Sequence, residues 1–327
     1  MMFSSLKTRR RRTSPGLLKD RIPTGNELHS RFAQPVGKVV CVGVLVAVTL
    51  LLAACGSSTT TGGVPTVNPA TPTVAPPTDL ITPGTLTVGS DTTYAPQEYI
   101  DTTTQQPAGF DIDLITAIAQ RMGLTATIKS DKFDTIIDDL GNKRFDVVIS
   151  AITINSDREK KVDFVPYFNA GESLLVAAGN PKNIKTLSDL CGQNVGVQDA
   201  TVEQTDLQTA STACTKAGKP AIKLTVLQDQ TAVIDLLATG RVVATYQDSP
   251  VTDYYNKQHP GMFTVAGSVV NAANEGIAVR KGDTSMLNAV QMAFTQLKTS
   301  GGYHSLIVKW GLTSGEITLI DRRTIFI

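Results

Sequence analysis

Four polar residues stand where a parallel sheet presents its strand ends. Asp91, Ser150, Gln198 and Asp248 each lie at or just after the close of a segment that reads as a strand. Ligands of α/β sheets sit beyond the strand C-termini, so these positions define a candidate cleft. Two carboxylates, a hydroxyl and an amide are binding groups for a small polar solute. The groups for turnover are missing from the sequence pattern. There is no nucleophile elbow, no cluster of metal-ligating residues and no histidine beside a candidate serine or cysteine, so neither a cofactor nor a metal is expected. After residue 54 the only histidines are His259 and His304.

The elements that must carry these residues alternate. Thr85–Ser90 reads as a strand. In 110–122, Phe110, Leu114, Ile115, Ile118, Ala119 and Met122 fall on one helical face, and Gly123 ends the helix. A short strand over 126–129, a helix over 134–140 and a buried strand over 145–150 follow. A second unit begins near residue 186. It has strands at 195–198, 222–227 and 242–247, helices at 202–217 and 230–239, and a helix from about Pro250. A strand over 276–280 and helices over 284–299 and 302–310 complete the pattern. Strands alternating with helices predict parallel sheets in an α/β fold.

The N-terminal part reads differently. Residues 1–54 hold nine Lys/Arg against two Asp/Glu, which leaves 21 basic and 27 acidic residues in the remainder of the 327-residue chain. That remainder is mildly acidic and predicts no nucleic-acid partner. Arg9 to Arg12 form a basic run. Val39–Ala54 is uncharged, nearly all apolar and short for a spanning helix, as in the apolar core of a signal peptide. It ends in Leu52-Ala53-Ala54-Cys55-Gly56, which resembles a bacterial lipobox. That resemblance implies a signal peptide over 1–54, cleavage before Cys55 and a lipid on its sulfur; an uncleaved membrane anchor is the alternative. Residues 55–83 are dense in Thr, Pro, Gly and Ser, with Asp79 their one charge, and predict an extended tether. With Cys41 in the leader and Cys55 at the lipid site, Cys191 and Cys214 remain as a pair. In an oxidising compartment they favour a disulfide, with two free buried thiols as the alternative.

Seven stretches carry a family resemblance. They are Leu86–Pro96 (LTVGSDTTYAP), Gly109–Ala117 (GFDIDLITA), Phe145–Thr153 (FDVVISAIT), Arg158–Phe168 (REKKVDFVPYF), Val195–Gln198 (VGVQ), Leu237–Gln247 with Asp248, and Gly276–Asp283 (GIAVRKGD). In this order they resemble family 3 of the bacterial extracellular solute-binding proteins, the polar amino-acid binders. The resemblance implies a periplasmic-binding-protein-like fold of type II: two α/β lobes joined by a two-segment hinge. The large lobe is expected over 84–168 and 276–312, the small lobe over 172–271, and a C-terminal tail over 313–327. It implies an ABC-importer lipoprotein on the extracytoplasmic face of the cell membrane, acting as a monomer that delivers a polar amino acid to permease subunits. An enzyme of the same fold, dehydratase-like, or a chemosensory lipoprotein are the alternatives.

Carried over residue by residue, the resemblance gives Arg158 to the ligand carboxylate. A guanidinium grips a carboxylate bidentately, where lysine offers a point charge. Asp248, on the opposite lobe, is given to the ammonium. Thr153 and the backbone of Ser150 and Ala151 are expected to add donors and acceptors, and Thr201 a donor from the small lobe. Tyr94 and Phe133 match aromatics that flank the ligand side chain. Asp91 matches an acid that reaches that side chain, which favours basic or amide amino acids. Two departures stand out. Asp199-Ala200-Thr201-Val202 replaces a glycine followed by two Thr or Ser, next to Gln198. Gln97-Glu98 stands where an aromatic is common at 97, which predicts a more polar pocket rim.

Overall fold

The structure, a computed structural model, describes residues 73–318. The leader 1–54, Cys55, most of the tether and the last residues of the tail lie outside the described residues. Strand β1 (Thr85–Ser90) leads into a small antiparallel meander of β2 (Thr93–Tyr94), β3 (Glu98–Ile100) and β4 (Pro107–Ala108). Helix α1 (Phe110–Arg121), β5 (Thr125–Ser130), α2 (Ile136–Gly141), β6 (Val147–Val148) and α3 (Ser156–Glu159) follow, and then the long strand β7 (Val162–Ala177). Next come β8 (Asn194–Gln198), α4 (Val202–Lys216), β9 (Lys223–Leu227), α5 (Gln230–Ala238), β10 (Ala244–Asp248) and α6 (Ser249–Gln258). A second long strand, β11 (Phe263–Arg280), precedes α7 (Thr284–Thr299) and α8 (Gly302–Trp310).

The apolar face read from the sequence, Phe110, Leu114, Ile115, Ile118, Ala119 and Met122, is buried, and Asp111 and Ile112 are buried beside it. Its start is fixed by Gly109, at φ 133°, where a Cβ would lie 2.1 Å from the Gln97 carbonyl oxygen. Only glycine fits that approach. The helix thereby hangs from the β2–β3 turn, with the Phe110 and Asp111 amides donating to the Pro96 and Gln97 carbonyls. Helix α7 is capped by Asp283, whose side chain accepts from the Met286 amide, as an N-cap acid should.

Eight strands form one sheet in the order β5-β1-β6-β11-β7-β10-β8-β9. The parallel pairings expected from the sequence occur at both ends: β1 with β5 and β6, and β8 with β9 and β10. The centre departs from expectation. β7 and β11 pair antiparallel with each other over nearly their whole length and antiparallel with their outer neighbours. The sequence reading placed no strand over 162–177 and only the end of β11. Pro166 interrupts the ladder on β7, and the register shifts beside it, between Glu275 and Gly276. Proline is tolerated at such an irregularity, and it masks the strand in sequence.

The two long strands carry the chain between two cores. One includes Leu86, Val88, Phe110, Leu114, Ile118, Phe168, Val279, Val290, Phe294 and Ile307. The other gathers Leu174, Val176, Leu190, Val195, Val197, Leu207, Ala244 and Tyr246. These are the two lobes. In the second, Cys191 and Cys214 are bonded, with their Cα atoms 5.6 Å apart. The bridge ties the start of β8 to the end of α4.

Both expected extensions are partly docked. Of the tether, the Thr73 and Val74 amides donate to the Arg121 carbonyl, Val74 is buried in the large core, and the Ile81 amide donates to Asp146 Oδ1 at 2.9 Å. Val74 and Leu80 supply enough apolar surface to hold this segment down. Of the tail, Glu316 bridges to Phe168 on β7, and the Ile317 amide donates to the Tyr303 hydroxyl at 3.2 Å.

Candidate functional site

The cleft has a wall from each lobe. On the large-lobe wall, Asp91 directly follows β1 and Ser150 lies two residues after β6. Ser150 Oγ accepts from the Asp91 amide and donates to Glu98 Oε1, both at 2.9 Å. Ala151 adopts φ 45°, and its amide donates to Asp111 Oδ2 at 3.0 Å. Tyr167 donates to the same Asp111 oxygen at 2.6 Å. The Ser150 hydroxyl and the Ala151 amide, expected in part to serve a ligand, are therefore committed to the buried acids beneath the wall. Burial raises the pKa of Asp111 to about 6 and holds that of Glu98 well above the carboxylate range, each acid next to the other.

Arg158 begins at the short helix α3, whose cap Asn155 accepts from the Arg158 amide at 2.9 Å. Its guanidinium donates to the Thr153 carbonyl at 2.7 Å and to the Ala200 carbonyl, across the cleft, at 3.2 Å. The Phe133 ring lies 5.2 Å from Cζ, within cation–π range. Loss of solvent lowers the guanidinium pKa, opposed by Glu203 and Asp248.

The small-lobe wall is the end of β8, the first turn of α4 and Asp248 at the end of β10. Thr201 caps α4: its hydroxyl accepts from the Gln204 amide at 3.2 Å and donates to the Gln198 carbonyl at 3.0 Å. The donor expected for a ligand carboxylate is thus used locally. Ala200 sits at φ 60°, the left-handed conformation for which glycine is favoured. Its amide is held by Asp199 Oδ1 and Gln204 Oε1. Asp248 precedes α6 without making a side-chain cap. Its Oδ2 instead accepts from the Tyr94 hydroxyl of the other lobe at 2.9 Å, and its amide donates to the same hydroxyl at 3.2 Å. Burial raises its carboxyl well above the usual range, with Glu275 adding to the rise.

These residues enclose one cavity. Its lining includes Tyr94, Phe133, Ser150, Ala151, Thr153, Arg158, Gln198, Thr201 and Asp248, nine of the ten ligand-site positions singled out in the sequence. Asp91 is the exception. It is 3% exposed, accepts from Thr93 Oγ1 at 2.9 Å and from Gln198 Nε2, and stands behind Gln198 rather than on the cavity wall. Burial lifts its pKa to about 6. The expected polar rim at Gln97-Glu98 is also corrected. Both side chains are fully buried, and Gln97 Nε2 donates to both Glu275 oxygens at 2.9 and 3.0 Å. A buried amide needs such a partner, and the hinge strand supplies it.

Two lining residues escaped the sequence reading, Val202 and Glu203. Glu203 is 2% exposed and its Oε1 has no hydrogen-bond partner. In sequence it looks like an ordinary first-turn acid, favoured by the helix dipole. The one available signal was its place directly after the departing Thr201-Val202 pair. Among the described residues, no group of His, Cys, Asp and Glu is arranged to hold a metal, and no helix is long and apolar enough to cross a membrane.

The lobes touch around the cavity. Besides Tyr94–Asp248 and Arg158–Ala200, the Gln230 amide donates to Thr93 Oγ1 at 3.1 Å, and Gln228 Nε2 donates to Asp134 Oδ2 at 3.1 Å. The free volume left inside is about 10 Å³. That is room for about one water, so the walls must part to admit anything larger.

The folded part resembles known binding proteins in sequence and fold. The chain is 31% identical over 228 residues to the L-cystine-binding protein TcyJ of Escherichia coli K12, covering 69% of this chain and 82% of that one. It is 30% identical over 229 residues to the ABC transporter arginine-binding protein 1 of the same strain, covering 68% and 88%. Among solved structures, an ancestral arginine-binding protein bound to glutamine superposes with a TM-score of 0.65 at 34% identity, over 71% of this chain and 99% of that one. The profile of the bacterial extracellular solute-binding proteins, family 3, matches residues 86–313, and the chain belongs to that family.

Proposed function

We propose that the chain captures a polar amino acid between its lobes and delivers it to the permease of an ABC importer. One observation carries this reading: Arg158 and Asp248, a cation and an anion from opposite lobes, line the same cavity. A zwitterion that meets both charges replaces the water it loses with paired groups and ties the lobes together. Arg158 takes the carboxylate, and Asp248 takes the ammonium after releasing Tyr94. Phe133 and Tyr94 flank the side chain, and Thr153 with the carbonyls of Ser150 and Ala151 completes the polar wall. Gln198, backed by Asp91, faces the side-chain end and favours a basic or amide group. Relatives named for cystine and arginine, and an arginine-binding neighbour holding glutamine, support the amino-acid class. They are named as binding proteins, which supports binding over the dehydratase-like and chemosensory alternatives.

In this reading the large lobe comprises 84–168 and 276–312 and the small lobe 172–271. Cys55 carries the lipid, and the tether holds a monomer at the extracytoplasmic face of the cell membrane. The test is a thermal-shift screen against the common amino acids, followed by calorimetry. Stabilisation by arginine, lysine, histidine or glutamine with little by aspartate and glutamate is expected. Tight glutamate binding with none by the others defeats the selectivity, and no amino-acid binding at all defeats the reading.

A further inference from the structure

Arg158, Asp248 and Glu203 are the ionisable side chains lining the cavity besides Tyr94. An amino acid held as proposed pairs its carboxylate with Arg158 and its ammonium with Asp248. Glu203 is then left over. It stands at the start of α4, directly after Thr201 and Val202, on the side of the cleft where Arg158 reaches across to the Ala200 carbonyl. Thr201 has already given its proton to the Gln198 carbonyl, and Val202 has no hydroxyl. An ionised Glu203 beside the bound carboxylate would set like charges together in a closed cleft, which costs several kcal/mol. A protonated Glu203 would instead donate a short, charge-assisted hydrogen bond. Its unpartnered Oε1 is the free position on this wall.

We propose that Glu203 meets the solute carboxylate as a neutral acid and donates its proton to it, so that capture is linked to a proton. This rests on the amino-acid reading above. The groups that act on Glu203 come from every packed element. Arg158 and Tyr94 face it from the large lobe, Glu172 and Glu275 from the hinge strands, and Asp248 and Tyr246 from the small lobe. Burial dominates, Asp248 adds to it, and the helix amide, Arg158 and Thr201 oppose it. The net result lifts the pKa to about 8. Arg158 stays charged throughout this range. Because the competent form carries this proton, the Glu203 share of the affinity is level below about pH 8 and falls as pH rises through it.

The purified full chain is first titrated at pH 6 with L-arginine, L-lysine, L-histidine, L-glutamine and L-cystine. The tightest binder is then followed from pH 6 to 9 with wild type and Glu203→Gln. Loss of the ligand's own ammonium proton and titration of Asp248 and Glu172 occur in both proteins, so the difference between them reports Glu203. The wild type should weaken roughly tenfold between pH 7 and 9 beyond any change in the variant. Calorimetry in buffers of different ionisation heat should show uptake of about half a proton per ligand by wild type at pH 8 beyond the count for Glu203→Gln. Both readouts are differences between wild type and variant; if Glu203→Gln does not fold, Glu203→Ala is the reference. Parallel profiles, no proton uptake, or affinity that rises with pH overturn the inference; a rise marks Glu203 as an anion paired with a cationic group. Failure of every amino acid at pH 6 defeats the amino-acid reading itself.

Discussion

The two walls of the cleft are built on different foundations. The large-lobe wall rests on fixed partners: Ser150 on Glu98, Ala151 on Asp111, Asp111 on Tyr167 and Gln97 on Glu275. Beneath them lies the larger of the two main cores. The small-lobe wall is one strand end and one helix start, above a smaller core closed by a disulfide. Its side chains reach outward, Gln198 to Asp91 and Asp248 to Tyr94. Interior hydrogen bonds of this kind stiffen the wall, although Gln97 Oε1, Glu98 Oε2 and Asp111 Oδ1 are left without a partner. The large lobe is thus a prepared half-site, and the small lobe is the half whose contacts change as the cleft opens.

The largest expected effect is on the prepared wall. Arg158→Lys keeps the charge but loses the planar fork, and should weaken amino-acid binding by about 3 kcal/mol, roughly a hundredfold. Arg144→Lys, on an exposed arginine paired with Asp139, should leave affinity unchanged. Equal effects in calorimetry would remove Arg158 from the carboxylate site.

On the other side, replacing Cys191 and Cys214 together by serine should cost about 3 kcal/mol, from the 23-residue loop the bond closes. The loss should show as earlier hydrogen exchange in α4 and β8, with the large lobe little changed. Uniform loss across both lobes would break the contrast, as would free thiols in the untreated protein.

Acid should separate the walls more gently. The raised acids Asp91 and Asp111 on the large lobe, and Glu172 and Glu203 near the small one, keep protons in the fold that the unfolded chain releases. Their contribution is full below the ordinary carboxylate range and is lost as pH rises through about 6 for the first pair and about 8 for the second. Each raised group lowers unfolding free energy by on the order of 1 kcal/mol per pH unit within its window. Exchange-detected stability should therefore decline from the ordinary carboxylate range upward, with the Asp91 and Asp111 share spent by about pH 6 and the Glu172 and Glu203 share still falling toward about pH 8. A maximum near pH 8 would contradict the assignment.

The smallest effect concerns Asp91. Since it acts through Gln198, Asp91→Asn should change the preference for glutamine over glutamate only a few-fold, about 1 kcal/mol or less. A change of a hundredfold would place Asp91 in direct contact with the ligand.

What the sequence made legible follows from periodicity. Helices α7 and α8 fall on the residues expected, because their apolar spacing and flanking glycine or aspartate are unambiguous. β7 was hidden because it crosses from one core to the other, so its burial does not alternate, and because Pro166 reads as a breaker. The cleft positions were legible through the family motifs, yet the commitments of their hydrogens were not. That Thr201 spends its hydroxyl on a cap and Ala151 its amide on Asp111 depends on partners distant in sequence or on loop geometry. Gln97 and Glu203 look like surface residues until the fold buries them. The tether was judged from its average composition, whereas Val74 and Leu80 dock individually.

The pairing of β7 with β11 also bears on how the molecule is made. Strand β6 lies between β1 and β11, and α7 and α8 complete the core that α1 begins. All of β8 to α6 intervenes in the chain. As an exported polypeptide emerges N-terminus first, the leading half of the large lobe waits, with apolar surface uncovered, while the lobe that follows acquires its sheet and its cysteine pair. Contacts between residues so far apart in sequence slow folding and lengthen that exposure. The order of completion is inside first: the inserted lobe closes as a local unit, and the lobe that starts the chain is the last to be finished.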